Sequence, residues 1–463
     1  MRELVRQNRR FLLGIGLAGL ALHFFFFFYF PAITDDSRIY ADIATNWLHH
    51  GVYGETQADQ IVPTDARLPG YPAFLAAVFA LFGTGNFKAA LLLQIIVDLI
   101  TCLLTADLAS RAISTGAARA AFALAWLCPF LANYAAAALT ETLEIFFTVL
   151  ALDLAVIGLD SLRSAAPSNW TTWAASGAAV AACILLRPDG GILPAAIGVY
   201  LLWLMWKQLR QRQPAWPTLR AALVFSLFAI IPLVPWTWRN LRTLHLFQPL
   251  APRYATDSDE LVPRGFNRWV KTWMIDYVSV EEFYWSVPGL KLDASKLPDR
   301  AFASDTQRER TEAFIDTYNQ SQQMTPEIDA GFAQLAAERI RTHPLRYYVL
   351  LPAMRVADMW LRPRTELLPP DPRWWEFNDE ILSSIGAVAL GAINLAYVIA
   401  AFLGLWRRHA TVRLLGLFLI FVALRSAVLG TLENPESRYT LECYPVVILL
   451  ASSLWPAKPA STV

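Results

Sequence analysis

The sequence predicts an all-α polytopic membrane protein: about ten transmembrane helices, interfacial helices, and a large, mostly helical outer loop domain. Three observations predict it. Of 463 residues, 56% are apolar and only 17% charged, whereas soluble chains carry roughly a quarter charged residues. The apolar residues gather in runs of about 20, the length that crosses about 30 Å of hydrocarbon as helix. Basic residues cluster at alternate connections between those runs, as the positive-inside rule requires. With 39 basic and 38 acidic residues the net charge is +1, which excludes a nucleic-acid binder working through a basic face.

The chain opens MRELVRQNRR and continues FLLGIGLAGLALHFFFFFYF. A basic start and a long apolar run with no small-residue cleavage site read as an uncleaved first span, 11–31. Further spans are expected at 88–110, 117–138, 142–160, 170–186, 190–206, 219–238, 380–405, 412–431 and 441–455. Arg2, Arg6, Arg9 and Arg10 assign the N-terminus to the cytoplasm, and the basic clusters at 111–119, 163, 207–220 and 407–413 belong on the same side. That parity holds only if 71–83 does not cross. Its run YPAFLAAVFALFG makes about 20 Å of helix, too short for a crossing, so it is expected to lie in the outer interface. The same bookkeeping makes 345–361, which carries Arg346, Arg355 and Asp358, a second interfacial amphipathic helix.

Three modules follow. Residues 1–238 form a seven-helix transmembrane catalytic module with a first outer loop at 32–87. Residues 239–379 form an outer loop, with helical periodicity at 307–323 and 326–342. Residues 380–463 form a C-terminal three-helix module. The aromatic stretch WVKTWMIDYVSVEEFYW argues against disorder in the long loop. Cys102, Cys128, Cys183 and Cys443 lie in or beside apolar runs with neither disulfide nor metal spacing, and are expected as small core residues.

With this topology the polar helix ends fall on one face of the membrane. They are Asp35 and Asp36 with Arg38 and Tyr40; Arg67-Leu68-Pro69-Gly70-Tyr71-Pro72; Thr140-Glu141; Arg187-Pro188-Asp189; Trp238-Arg239-Asn240; and the run 433–439 with Arg438 and Tyr439. Guanidinium groups suit phosphate oxygens, and a carboxylate at the interface can act as a general base, so the set points to an anionic, lipid-borne substrate. Plainer roles stand beside these. Asp35 and Asp36 suit a helix N-cap, Arg67 and Arg187 suit snorkelling anchors, and Glu433 and Glu436 with Arg438 suit a solvated ion-pair cluster. Within the spans, Asp98, Asp107, Glu144 and Asp153 are costly. Asp107 and Glu144 lie near span ends within reach of water, while Asp98 is mid-span and needs a partner or a proton. His23 and His245 have no ligand spacing around them, and no metal set is expected.

The elements DDSRIYADIATNWLHHGVYG, RLPGYPAFLAAVFALFG, LCPFLANYAAAALTETLEIFF, LLRPDGG, PWTWRNLRTLHLF, RTHPLRYY and ESRYTLECYP, in this order, resemble the glycosyltransferase C superfamily. The branch concerned is the bacterial relatives of protein O-mannosyltransferase and lipid A aminoarabinose transferase. The resemblance implies a multi-pass enzyme of the cytoplasmic membrane with its active site facing outside. Such an enzyme moves a sugar from a polyprenyl-phosphate donor to an envelope acceptor, a lipid, glycan or protein, with inversion. It implies Asp35 or Asp36 as catalytic base, with Asp35 preferred as nearest the helix end, and Glu141 as the second acidic position, orienting acceptor or sugar. Arg67 would hold the donor phosphate, and Tyr71, Arg187, Arg438 and Tyr439 would bind phosphate or sugar. Leu-Pro-Gly-Tyr-Pro stands where the aminoarabinose branch has paired prolines, so the sugar is not inherited from that branch; no cofactor is implied, and a divalent metal beside the acids is left open. The competing readings are a flippase for a lipid-linked sugar and a surface-polysaccharide ligase or polymerase. Transporters show matched halves with broken helices at the midplane, whereas here the polar residues gather at one face.

Overall fold

A computed structural model describes residues 9–163, 170–254, 261–377 and 381–455. Arg2 and Arg6, used above for orientation, lie outside the described residues. The chain packs as two compact units: unit 1 comprises 1–257, 396–422 and 441–463, and unit 2 comprises 258–395 and 423–440.

Unit 1 begins with α1 (Arg9–Tyr29), α2 (Asp35–His50), a hairpin of β1 (Gly54–Gln57) and β2 (Gln60–Pro63), and α3 (Gly70–Phe82). Next come α4 (Phe87–Ala112), α5 (Thr115–Trp126), α6 (Pro129–Ala135), α7 (Glu141–Arg163), α8 (Trp170–Leu186) and α9 (Ile192–Arg210). After them run α10 (Trp216–Ile230) and α11 (Val234–Thr243). Among the described residues six stretches are long and apolar enough to cross a membrane: Arg10–Tyr29, Phe87–Ala112, Glu141–Arg163, Pro188–Arg210, Trp216–Thr243 and Ile381–Thr411. The expected span 117–138 is broken into α5 and α6, bent by 53°. Pro129 opens α6; with no N–H to give to the preceding turn, proline starts a helix rather than continuing one.

Three expected spans are short helices: α8 with 17 residues, α17 (Leu415–Leu429) with 15 and α18 (Tyr444–Ser452) with 9. At 1.5 Å per residue they reach roughly 25, 22 and 14 Å. All nine α18 residues are buried, so protein, not hydrocarbon, surrounds the ends of this shortest helix. Ala58 and Asp59, with φ of 45° and 64°, form the two-residue turn whose twist matches a hairpin. Helix α3 buries Tyr71, Leu75, Val78 and Phe79 while Leu81 and Phe82 stay exposed, so one face seats on protein and the other does not. A Cβ at Gly70 would lie 2.6 Å from the Leu185 carbonyl; glycine there lets α3 start against the end of α8.

Unit 2 is built around α12 (Arg264–Val270), α13 (Asp305–Ser321), α14 (Pro326–Thr342) and α15 (Leu351–Leu361). The periodicities expected at 307–323 and 326–342 are thus α13 and α14. Ser304 and Thr325 cap them, each accepting the backbone N–H of the third residue on, as N-caps do. Phe266, Trp269, Trp273, Phe283 and Phe332 form an aromatic core, and burial of this size is what a folded domain needs. The Asp329 carboxylate accepts from the N–H groups of Gly265 and Phe266 at 3.0 and 2.9 Å, satisfying the start of α12. Arg339 donates to Thr272, Gln307 and the Arg300 carbonyl. The expected second interfacial helix is a π-helical turn at Arg346–Leu350 running into α15. It buries Leu351, Arg355 and Met359 and exposes Leu345, Tyr348 and Val349. Helix α16 (Ile381–Arg408) and α17 each have residues in both units.

Thr84 is exposed between α3 and α4, whereas its neighbours Gly83 and Gly85 have φ of 97° and 75°, unsuitable for a side chain. If α3 stays in the outer interface, Thr84→Cys reacts with a membrane-impermeant maleimide added outside intact cells. Labelling only after the membrane is opened would place 71–83 across it.

Candidate functional site

Thr34, not either aspartate, caps α2: its Oγ1 accepts the Ser37 N–H at 3.4 Å and Ser37 Oγ accepts the Thr34 N–H at 3.0 Å. This reciprocal box leaves Asp35 and Asp36 in the first turn, with side chains available for other partners. Asp35 faces solvent, 93% exposed, and pairs with Arg38 at 2.7 Å. Asp36 turns inward and meets Arg67 Nη2 at 3.0 Å, with side chains 34% and 17% exposed.

The hairpin explains why Arg67 sits there. Asn46 donates to the Gly54 carbonyl at 3.1 Å, and Asp42 accepts the Thr56 N–H at 2.6 Å, which fastens β1 to α2. Tyr53 OH donates to the Arg67 carbonyl at 2.9 Å. From α11, Arg239 donates to the carbonyls of Thr64, at 2.7 Å, and Tyr53, closing the loop from the far side. Burial alone lowers the pKa of Arg67, but Tyr40 and Asp36 outweigh it, and the net shift is upward. Arg67 is therefore a fixed positive charge.

A second group lies at the head of α7. Glu141, almost fully buried, is 3.1 Å from Arg187 Nη1, and Arg187 Nε is 3.3 Å from Glu144 and 3.0 Å from Asp189. Glu144, expected to reach water, is instead fully buried on this arginine. Tyr40 links the two groups. Its phenol is pushed up to about 12, first by burial and then by Asp36, against the pull of Arg67 and Arg187 and with a further push from Glu141. Its ring meets Tyr71 edge-on at 5.1 Å. Tyr71 OH donates to Gln94 Oε1 at 2.7 Å, and Gln94 Nε2 donates to the Ala137 carbonyl at 2.6 Å, just before Thr140 and Glu141.

Unit 1 thus brings together Asp36, Arg67, Tyr71, Glu141 and Arg187, and turns Asp35 away. Arg438 and Tyr439 belong to unit 2. There Arg438 Nε is 2.6 Å from Glu436, and the Tyr439 hydroxyl donates to the same carboxylate. Tyr40 and Arg239 were noted in sequence only as polar residues at helix ends, without a role. Gln94 was missed, because a lone glutamine in an apolar run carries no pattern. His23, set aside for lack of ligand spacing, is 2.8 Å from Asp98 and supplies the partner that mid-span acid required. The four cysteines are buried and form no disulfide. Among the described residues no three His, Cys, Asp or Glu side chains converge as metal ligands do.

A cavity of about 480 Å³ adjoins the first group, lined by Trp47, Tyr53, Pro69, Leu185, Trp236 and Arg239 among others. Its walls are mostly apolar and its volume is that of a small-molecule site. Asp36, Arg67 and Glu141 do not line it; it reaches Arg67 through Tyr53, whose hydroxyl holds the Arg67 carbonyl.

The whole chain has a solved structural counterpart in an Archaeoglobus fulgidus oligosaccharyltransferase tethered to an acceptor peptide with an NVT sequon. The TM-score is 0.52 at 12% identity, covering 96% of this chain and 49% of that one. A complex of the Archaeoglobus fulgidus oligosaccharyltransferase AglB with an inhibitory peptide and dolichol-phosphate gives 0.49 at 13%, covering 97% and 50%. ArnT from Cupriavidus metallidurans bound to undecaprenyl phosphate gives 0.42 at 15%, covering 96% and 77%. The chain spans about half the length of the oligosaccharyltransferases. No curated protein matches its sequence. The protein is thus an all-α polytopic membrane protein that shares the fold of the Archaeoglobus fulgidus oligosaccharyltransferase. Within this protein, residues 64–236, from the loop before Arg67 through Glu141 and Arg187 to Trp236, match the family model described as dolichyl-phosphate-mannose-protein mannosyltransferase.

Removing Arg187 strands Glu141 and Glu144 in a buried setting, where breaking one partner of an ion pair costs about 3–5 kcal/mol. Arg187→Ala is therefore expected to lower the unfolding midpoint in detergent by several degrees. Glu141→Gln together with Arg187→Ala recovers part of the loss, as thermal-shift measurements on the purified variants will read.

Proposed function

We propose that the protein is a membrane glycosyltransferase. It moves a sugar from a polyprenyl-phosphate donor to a lipid, glycan or protein acceptor at the outer face of the cytoplasmic membrane, with inversion at the anomeric carbon. The observation that carries this reading is the pairing of Asp36 with Arg67 beside an apolar cavity, with Arg67 inside the segment that matches the mannosyltransferase family model. The description of the family model that matches 64–236, with its dolichyl-phosphate-mannose donor, supports the donor class.

The chemistry assigns a role to each residue. A lipid-phosphate sugar arrives with a good leaving group, so the protein must supply a base, a cation for the departing phosphate, and alignment. Asp36 takes the proton from the acceptor as its oxygen or nitrogen attacks the anomeric carbon. The carbon–oxygen bond to phosphate breaks on the opposite face, and polyprenyl phosphate leaves with the electron pair. In-line displacement separates base from leaving group, so the arginine touching Asp36 is poorly placed to clasp the phosphate as well. We therefore assign Arg67 to holding the base, and the phosphate to Arg239, the cation lining the cavity. The isoprenoid chain lies along Trp47, Leu185 and Trp236. Glu141, held by Arg187, orients the sugar or acceptor, with Tyr40 between the two groups.

A general base contributes about 10²–10⁴ in rate. With purified protein and polyprenyl-phosphate sugars, Asp36→Asn is expected to slow donor consumption at least a hundredfold, while Asp35→Asn stays within a few-fold of wild type. Equal turnover in all three proteins would remove the catalytic role from this loop.

A further inference from the structure

We infer that His23 and Asp98 form a buried pin that sets the register of α1 and thereby positions Asp36; its consequence for turnover rests on the role proposed for Asp36. The need for a pin follows from the sequence of α1. Between Phe11 and Phe30, His23 is the one residue with an imidazole or a full charge. Only 17% of the helix's apolar window is buried, against 72% for α7, and Leu13, Leu17, Phe25 and Phe28 are exposed. Hydrocarbon receives Leu and Phe equally well at any rotation or height. The FFFFF run therefore anchors the helix without choosing its register.

Polar contacts make that choice. His23 Nε2 lies 2.8 Å from Asp98 Oδ2, and Nδ1 lies 2.7 Å from the Gly19 carbonyl. Both side chains are buried, His23 completely. A carbonyl only accepts, so Nδ1 carries a hydrogen. Nε2 and the carboxyl then share one proton, and the pair is neutral as a whole. Trp126 stacks on His23 with ring centroids 4.1 Å apart, and its Nε1–H donates to the Gly16 carbonyl at 3.0 Å. A Cβ on Gly19 would lie 2.1 Å from that indole, so this approach requires glycine. Gly16, Gly19 and His23 share one helix face, which is the face that meets α4 and α5.

Sliding α1 by one residue moves it 1.5 Å and turns it 100°. That unpairs an imidazole and a carboxyl away from water, the costly arrangement inside a membrane. Just past α1, the Ala32 N–H donates to the Ala136 carbonyl at 3.0 Å, and the Ala138 N–H to the Ala32 carbonyl at 2.9 Å. The cap Thr34 and then Asp36 follow at once. One turn before Asp98 on α4 is Gln94, which holds Tyr71 and the Ala137 carbonyl. A single stretch of α4 thus fixes both α1 and the floor under the acidic group. His23 and Asp98 are positioning residues, and small misplacements of a catalytic group have large effects on rate.

Hydrogen–deuterium exchange on the full-length protein reads the pin without any substrate. Asp98→Ala should speed exchange of the amides of 32–38, within the segment 31–38, at least tenfold and leave the unit 2 core at 266–283 unchanged. Asp98→Asn should restore wild-type exchange, because its amide N–H can donate to Nε2 and keep the two side chains joined. In donor turnover, Asp98→Ala then lowers kcat with KM held, and Asp98→Asn recovers it. Unchanged exchange at 31–38 in Asp98→Ala would overturn the inference, as would Asp98→Asn behaving like Asp98→Ala. If Asp98→Ala exchanges fast throughout, Trp126→Phe decides, since it removes only the indole hydrogen bond to Gly16. Acceleration confined to 31–38 supports the pin, and none overturns it. Absence of sugar transfer in every protein, wild type included, would count against the proposed function and leave the exchange result standing.

Discussion

A charge taken out of water must bring its counter-charge with it, and the architecture of unit 1 answers that demand. Asp36 on Arg67, and Glu141 and Glu144 on Arg187, are ion pairs drawn from stretches far apart in sequence, and the neighbouring Asp189 completes the Arg187 group. Isolated, each of these groups would face a desolvation cost of several kcal/mol. Together they oblige α2, the hairpin, α7 and the α8–α9 connection to meet. The same rule explains His23 and Asp98, where a neutral pair is the tolerable way to seat a carboxyl within an apolar helix.

Much of the scaffold exists to hold these pairs at fixed geometry. Arg239 gives two of its five N–H donors to loop carbonyls, and Tyr53 gives its hydroxyl to a third. Rigid placement is what electrostatic catalysis asks for, since donors that are already oriented need no reorganisation during reaction. The apolar cavity next to this polar group gives the region two characters. An amphiphile with an anionic head matches both, whereas a fully soluble substrate would leave the tryptophan-lined half without purpose.

The helical fold was readable because hydrocarbon imposes one length and one composition on any crossing, and 87–112, 141–163 and 381–408 obey both. The shortness of α3, 13 residues, was legible too, because its apolar run is no longer than the helix it makes. Breaks were harder to read. The fracture between α5 and α6 hides in an unbroken apolar run, marked only by Pro129. The brevity of α18 depends on the protein around it. At the site, residue type identified Arg67, Glu141 and Arg187, because charges at apolar helix ends are conspicuous. Direction was not available: Asp35 and Asp36 differ by 100° on a helix, and Thr34 had to be recognised as the cap before either could be aimed. Partnerships across long separations, such as 23 with 98, leave no local trace.

The most direct measurement is an experimental structure of the protein with a polyprenyl phosphate bound. The account predicts the phosphorus within about 4 Å of the Arg239 guanidinium, the chain between Trp47 and Trp236, and the Asp36–Arg67 pair intact beside them. A phosphate held elsewhere, with the cavity empty and Asp36 turned to solvent, would contradict it.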